Sequence, residues 1–72
     1  MTIGEKIKDL RKKNNITQKQ LAEQLFITYQ AVSKWECGVS TPDISLIVPL
    51  TRVLNVSADE LFGITDPENT NE

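Results

Sequence analysis

"TQKQLAEQLFITYQAVSKWECG", residues 17–38, holds two helix starts separated by very little chain. Thr17 and Gln20 have the spacing of a capping box, in which a hydroxyl takes the third amide of the helix and the later side chain returns to the cap. Thr28 opens the second start, with Ile27 before it and Val32 after it at the spacing of a hydrophobic staple. A helix over about Gln18 to Leu25 is then joined to the next by "FIT", residues 26–28. So short a link forces two helices to cross steeply, as a helix-turn-helix. At about 100° per residue, Tyr29, Gln30, Ser33, Lys34 and Cys37 form one polar stripe on the second of these helices. Ala31, Val32 and Trp35 lie opposite, so one face is predicted for a core and the other for something outside it.

The same punctuation recurs on either side. Thr2 with Glu5 and Ser57 with Glu60 repeat the capping box, and Ile16 with Leu21 and Val56 with Leu61 repeat the staple. A first helix is predicted over about Ile3 to Lys13, with Ile3, Ile7 and Leu10 on one face, ended by Asn14 and Asn15. Leu21, Ala22 and Leu25 form the buried face of the second. Gly38 ends the third, and "VSTPD" leads into a fourth segment over residues 44–54, where Pro49 predicts a kink or a delayed start. A fifth helix, about Ala58 to Phe62, stops at Gly63. The pattern is all-α: five short helices in one domain, residues 1–64, followed by an acidic polar tail over 65–72. That tail is expected to be flexible, and to begin a linker if the chain is part of a longer protein.

Composition narrows the function classes. The 72 residues are 39% hydrophobic and 25% charged, as in a water-soluble globular chain. The longest apolar stretch, "LIVPL" at 46–50, is too short for a bilayer, and the N-terminus has no apolar run to act as a signal. A cytoplasmic protein without membrane association is expected. With one cysteine, Cys37, and no histidine, no internal disulfide forms and the commonest metal ligand and general base is missing. No phosphate loop, carboxylate pair or metal-ligand spacing is present, so no enzyme, metal, cofactor or small-molecule ligand is expected. The net charge of −2 conceals a polarity: residues 1–20 hold six basic and two acidic side chains, and residues 21–72 hold two and eight.

In "LRKKNNITQKQLAEQL", "AVSKWECG", "PDISL" and "NVSADELFG" the chain resembles the Cro/phage-repressor type of helix-turn-helix family, also called the xenobiotic-response-element family. The resemblance runs from about Ile3 to Gly63. It implies a compact five-helix DNA-binding domain whose third helix, about residues 29–37, enters the major groove while the second lies across the backbone. Tyr29, Gln30, Ser33 and Lys34 match positions that meet bases or adjacent phosphates. It implies Gln30 paired with adenine and Lys34 with guanine, and sets Tyr29 against a thymine methyl or a phosphate. Gln18 matches a glutamine that holds phosphate with its helix N-terminus, and Thr17, Thr28, Arg11 and Lys19 join it on the backbone. Arg11 and Glu36 match an ion pair linking the first helix to the end of the third.

Three positions depart from the family pattern. Phe26 stands where the turn usually has glycine, which requires either a less left-handed backbone or strain offset by added packing. Cys37 replaces a common asparagine. Pro49 matches a branch in which the domain is often the N-terminal part of a longer regulator, which leaves both a whole protein and a fragment open for these 72 residues. The function implied is sequence-specific binding of double-stranded DNA by a bacterial or phage transcriptional regulator acting as a homodimer. Dimer contacts are expected from the fourth and fifth helices, where Leu46, Val48 and Ile64 leave apolar area uncovered; a place in the core is the equal alternative for Leu46 and Val48. A protein-interaction module or an antitoxin on the same fold is the alternative, suggested by the negative net charge.

Overall fold

A computed structural model describes residues 2–63; Ile64 and the tail lie outside the described residues. Five helices run in order: α1 Ile3–Lys13, α2 Gln18–Leu25, α3 Tyr29–Cys37, α4 Ile47–Leu54 and α5 Ala58–Phe62. Thr2, Thr17 and Ser57 each accept the amide three residues on, and for Thr2 and Thr17 the returning Glu5 or Gln20 completes the box. Thr28 caps α3 alone, through the Ala31 amide at 3.3 Å, because alanine at that third position has nothing to send back.

Three of the connections are built alike. In Asn15-Ile16-Thr17, Phe26-Ile27-Thr28 and Asn55-Val56-Ser57 the first residue is left-handed, with φ of 58°, 59° and 58°. The apolar second residue packs on the core, and the third caps the next helix. The N–H of each apolar residue turns back to the previous helix: Ile16 to the Arg11 carbonyl at 3.0 Å, Ile27 to Ala22 at 3.0 Å and Val56 to Thr51 at 3.0 Å. Asparagine tolerates this backbone well. Phe26 does not, and its ring is 95% exposed. Neither expectation for it holds: the backbone is fully left-handed, and no packing offsets the strain.

The fourth segment settles the question of Pro49. A 3₁₀ turn over Ile44–Leu46, capped by the Asp43 carboxylate on the Ser45 amide, precedes α4, and Pro49 falls in the first turn of that helix. An amide there has no intrahelical acceptor, so proline costs little. The start is delayed and no kink is required.

The core is one cluster: Ile7 and Leu10, Leu21, Ala22 and Leu25, Val32 and Trp35, Leu50 and Leu54, and Leu61, contributed by α1 to α5 in turn. α3 packs against both α1 and α2, and α5 closes onto α1 and α4. Leu46, partly buried, packs on this cluster, the core alternative for it; Val48 is exposed. Gly4, in the first turn of α1, is buried against the end of α3. A β-carbon there would lie inside the van der Waals envelope of the Trp35 carbonyl, 2.7 Å from its carbon. Asn14 ties the far end of α1 to α4, its Nδ2 donating to the carbonyls of Leu10 at 2.8 Å and Leu54 at 3.1 Å.

Two substitutions test this account by thermal or urea unfolding. Gly4→Ala is expected to destabilise the domain by about 1–3 kcal/mol or more, because backbone rather than a flexible side chain must give way. Phe26→Gly is expected to stabilise it by about 1 kcal/mol, raising the melting temperature by roughly 4–8 °C, since the left-handed backbone is relieved and little packing is lost.

Candidate nucleic-acid interface

α3 is bounded by local chemistry, Thr28 at one end and Gly38 at φ 81° at the other. It is rolled into place by Val32 and Trp35, which are buried. That roll turns the polar stripe outward. Gln30, Lys34 and Cys37 are exposed, Tyr29 is 51% exposed and Ser33 is half-buried. The amides of Tyr29 and Gln30, at the open end of α3, have no intrahelical acceptor.

The N-terminus of α2 stands next to this stripe. Its cap uses the amides of Thr17 and Gln20, leaving those of Gln18 and Lys19 at the open end of the helix. Arg11, Thr17, Gln18, Lys19 and Tyr29 line one shallow groove. Four of the five residues matched to phosphate contacts are therefore brought together, and Tyr29 joins them from α3. Thr28 is outside this lining, its hydroxyl serving as the α3 cap.

Beneath the groove lies a network that joins three helices. Arg11 donates from Nε to Glu36 Oε2 at 2.7 Å and from Nη2 to Glu36 Oε1 at 3.0 Å, while its Nη1 reaches the Ile16 carbonyl at 2.8 Å. Gln18 donates from Nε2 to Glu36 Oε1 at 3.0 Å. The Glu36 side chain is only 3% exposed. Burial alone raises its pKa; the hydrogen bonds from Arg11 and Gln18, with the charges of Arg11 and Lys8, outweigh that effect and hold the carboxyl below its usual 4.5. The carboxylate beneath the groove is thus matched by a cation. One Gln18 N–H and two guanidinium N–H groups stay uncommitted, able to take an anion.

Gln18 as a network member and Gly4 as a spacer were not anticipated. Gly4 had a signal, a residue of poor helix propensity among good helix formers in α1. Gln18 had none, since its bond to Glu36 depends on how the helices cross. Among the described residues no group of three or more His, Cys, Asp or Glu side chains could hold a metal ion, and no helix is long and apolar enough to cross a membrane.

Removing one partner of the ion pair leaves a buried charge uncompensated. Arg11→Met is expected to cost about 2–3 kcal/mol in unfolding experiments, and the Arg11→Met/Glu36→Met double variant to recover most of it. Because the folded-state pKa of Glu36 is depressed, its contribution is present above about pH 4.5 and is lost as pH falls through the folded value. Glu36→Gln should accordingly flatten stability below that pH.

Comparison with known proteins agrees with this architecture. The sequence profile of the family described as helix-turn-helix matches residues 7–61. The HTH-type transcriptional activator BcrR of Enterococcus faecalis is 41% identical over 63 residues, covering 88% of this chain and 31% of BcrR. The HTH-type transcriptional regulator DicA of Escherichia coli is 41% identical over 71 residues, covering 97% of this chain and 53% of DicA. The chain thus spans about half the length of such relatives or less. The crystal structure of the P22 c2 repressor in complex with a synthetic operator superposes with a TM-score of 0.81 at 30% identity, covering 89% of this chain and 97% of that one. The match over most of the described residues, with α2, the Phe26 turn and α3 at its centre, establishes that the chain belongs to the helix-turn-helix family of the Cro and phage-repressor type.

Proposed function

We propose that this chain binds double-stranded DNA with sequence preference, as the DNA-reading domain of a cytoplasmic bacterial or phage transcriptional regulator. The observation that carries the proposal is the joining of an exposed polar stripe on α3 to a groove of phosphate-binding chemistry at the start of α2. Gln30 and Lys34, with Ser33 between them, read base edges; Gln30 has the paired donor and acceptor that match adenine, and Lys34 the donors that match guanine. Arg11, Thr17, Gln18, Lys19 and Thr28 hold the backbone, helped by the open amides at the two helix N-termini. Tyr29, in the groove lining, belongs with the backbone contacts as much as with the bases.

One such helix reads only a few base pairs, so we infer that two copies act on half-sites about one helical turn apart, roughly 34 Å. Ile44 at 86% exposure, with Val48 and Phe62, leaves apolar surface on the α4 and α5 side of the domain for the second copy. The interaction-module and antitoxin readings have less support, because the stripe contains no carboxylate to repel phosphate.

Selection of bound sequences from a random duplex pool, followed by titration in salt, tests the proposal. A preferred site with two copies of one short motif, and affinity that falls as salt rises, are expected. Binding without sequence preference, or without salt dependence, would overturn it. Gln30→Ala is expected to relax one base position at a cost of about 1–3 kcal/mol, and Gln18→Ala to weaken all sequences about equally.

A further inference from the structure

α1 contributes more than Arg11 to the surface beside α3. Gly4 packs on the Trp35 carbonyl and Arg11 pairs with Glu36, so the stripe of α1 running through these two residues faces the end of the recognition helix. Lys8 lies between them along the helix, about 40° around the axis from Gly4 and about 60° from Arg11. It is exposed, and its charge is among those that act on Glu36.

Each carboxylate around Lys8 already has a partner. Glu36 accepts from Arg11 and Gln18, Glu5 accepts the Thr2 amide at 2.9 Å as part of the α1 cap, and Asp9 pairs with Lys13 at 3.5 Å. Among the described residues no carboxylate lies within 4 Å of the Lys8 ammonium. A cation on a flexible four-carbon stem, next to a guanidinium that borders an anion groove, extends the positive edge by one helical turn. Of the three other lysines on α1, Lys12 lies on the same face one turn beyond Lys8, past Arg11, and the other two face elsewhere. Lys6 is about 160° and Lys13 about 140° around the axis from Lys8.

We propose that Lys8 is a further DNA-backbone contact, taking the phosphate next to the one held at the Arg11–Gln18 groove, so that α1 follows the strand that α2 begins to grip. This inference rests on the DNA-binding reading above. It deepens that reading by adding a contact that affects affinity and its salt dependence but carries no base information.

The test uses the duplex selected above, titrated at several salt concentrations with the wild-type chain, Lys8→Ala and Lys6→Ala, the last removing the same charge from the far side of α1. Lys8→Ala is expected to reduce the slope of log affinity against log salt by about 0.9 and to leave base preference unchanged, whereas Lys6→Ala keeps the wild-type slope. Equal slopes for all three proteins would overturn the Lys8 contact and leave the DNA-binding reading standing. Equal losses in both variants would also overturn it, by showing a general effect of net charge. Failure of the wild-type chain to bind would bring down the DNA reading and the Lys8 contact together.

Discussion

The packing of α1 across α3 is the constraint on which the rest depends. Gly4 lets the two backbones meet at the Trp35 carbonyl, and Arg11 grips Glu36 two turns further along α1. Between them these contacts set the depth and roll of α3, and with it which side chains face out. Gln18 binds the same carboxylate from α2, so the angle between α2 and α3 is fixed by the network that fixes α1. A helix-turn-helix is usually described by its turn. Here the turn is strained at Phe26, and the geometry is held from beneath by a buried carboxylate with three hydrogen bonds.

A chain this short has little core to spend on errors, and its helices are too brief to stand alone. Their ends therefore carry unusual weight. The repeated unit of left-handed residue, apolar staple and hydroxyl cap serves three of the connections: the first stops one helix, the second anchors the turn on the core, and the third starts the next helix. Asn15 and Asn55 meet the backbone requirement at low cost, whereas Phe26 meets it under strain with its ring in solvent.

The same carboxylate shapes the electrostatics. An overall charge of −2 suits nucleic acid poorly, but charge acts locally. Glu36 is buried and matched by Arg11, which offsets its charge beneath the groove, while Lys19 in the groove lining, the open helix amides and Lys34 on the adjoining stripe add positive potential. The acidic α5 residues Asp59 and Glu60 sit in the first turn of a different helix, where they favour its own N-terminus.

Helix existence, order and ends were legible in the sequence because they rest on chemistry within four or five residues. Thr2, Thr17, Thr28 and Ser57 start helices, and Asn14, Gly38 and Gly63 end them, wherever the chain is placed. The outward stripe Tyr29, Gln30, Ser33 and Lys34 was legible too, since it is what remains once Val32 and Trp35 are assigned to the core. Pro49 could be read only as one of two outcomes, because kink or late start depends on whether the preceding loop can form a 3₁₀ turn. What only the tertiary structure decided is how residues distant in sequence meet: Gly4 against Trp35, Gln18 on Glu36, Asn14 on the Leu54 carbonyl and Leu46 drawn into the core. Periodicity and capping specify each helix separately. The crossing angles that bring these groups into contact arise only when five apolar faces are buried together.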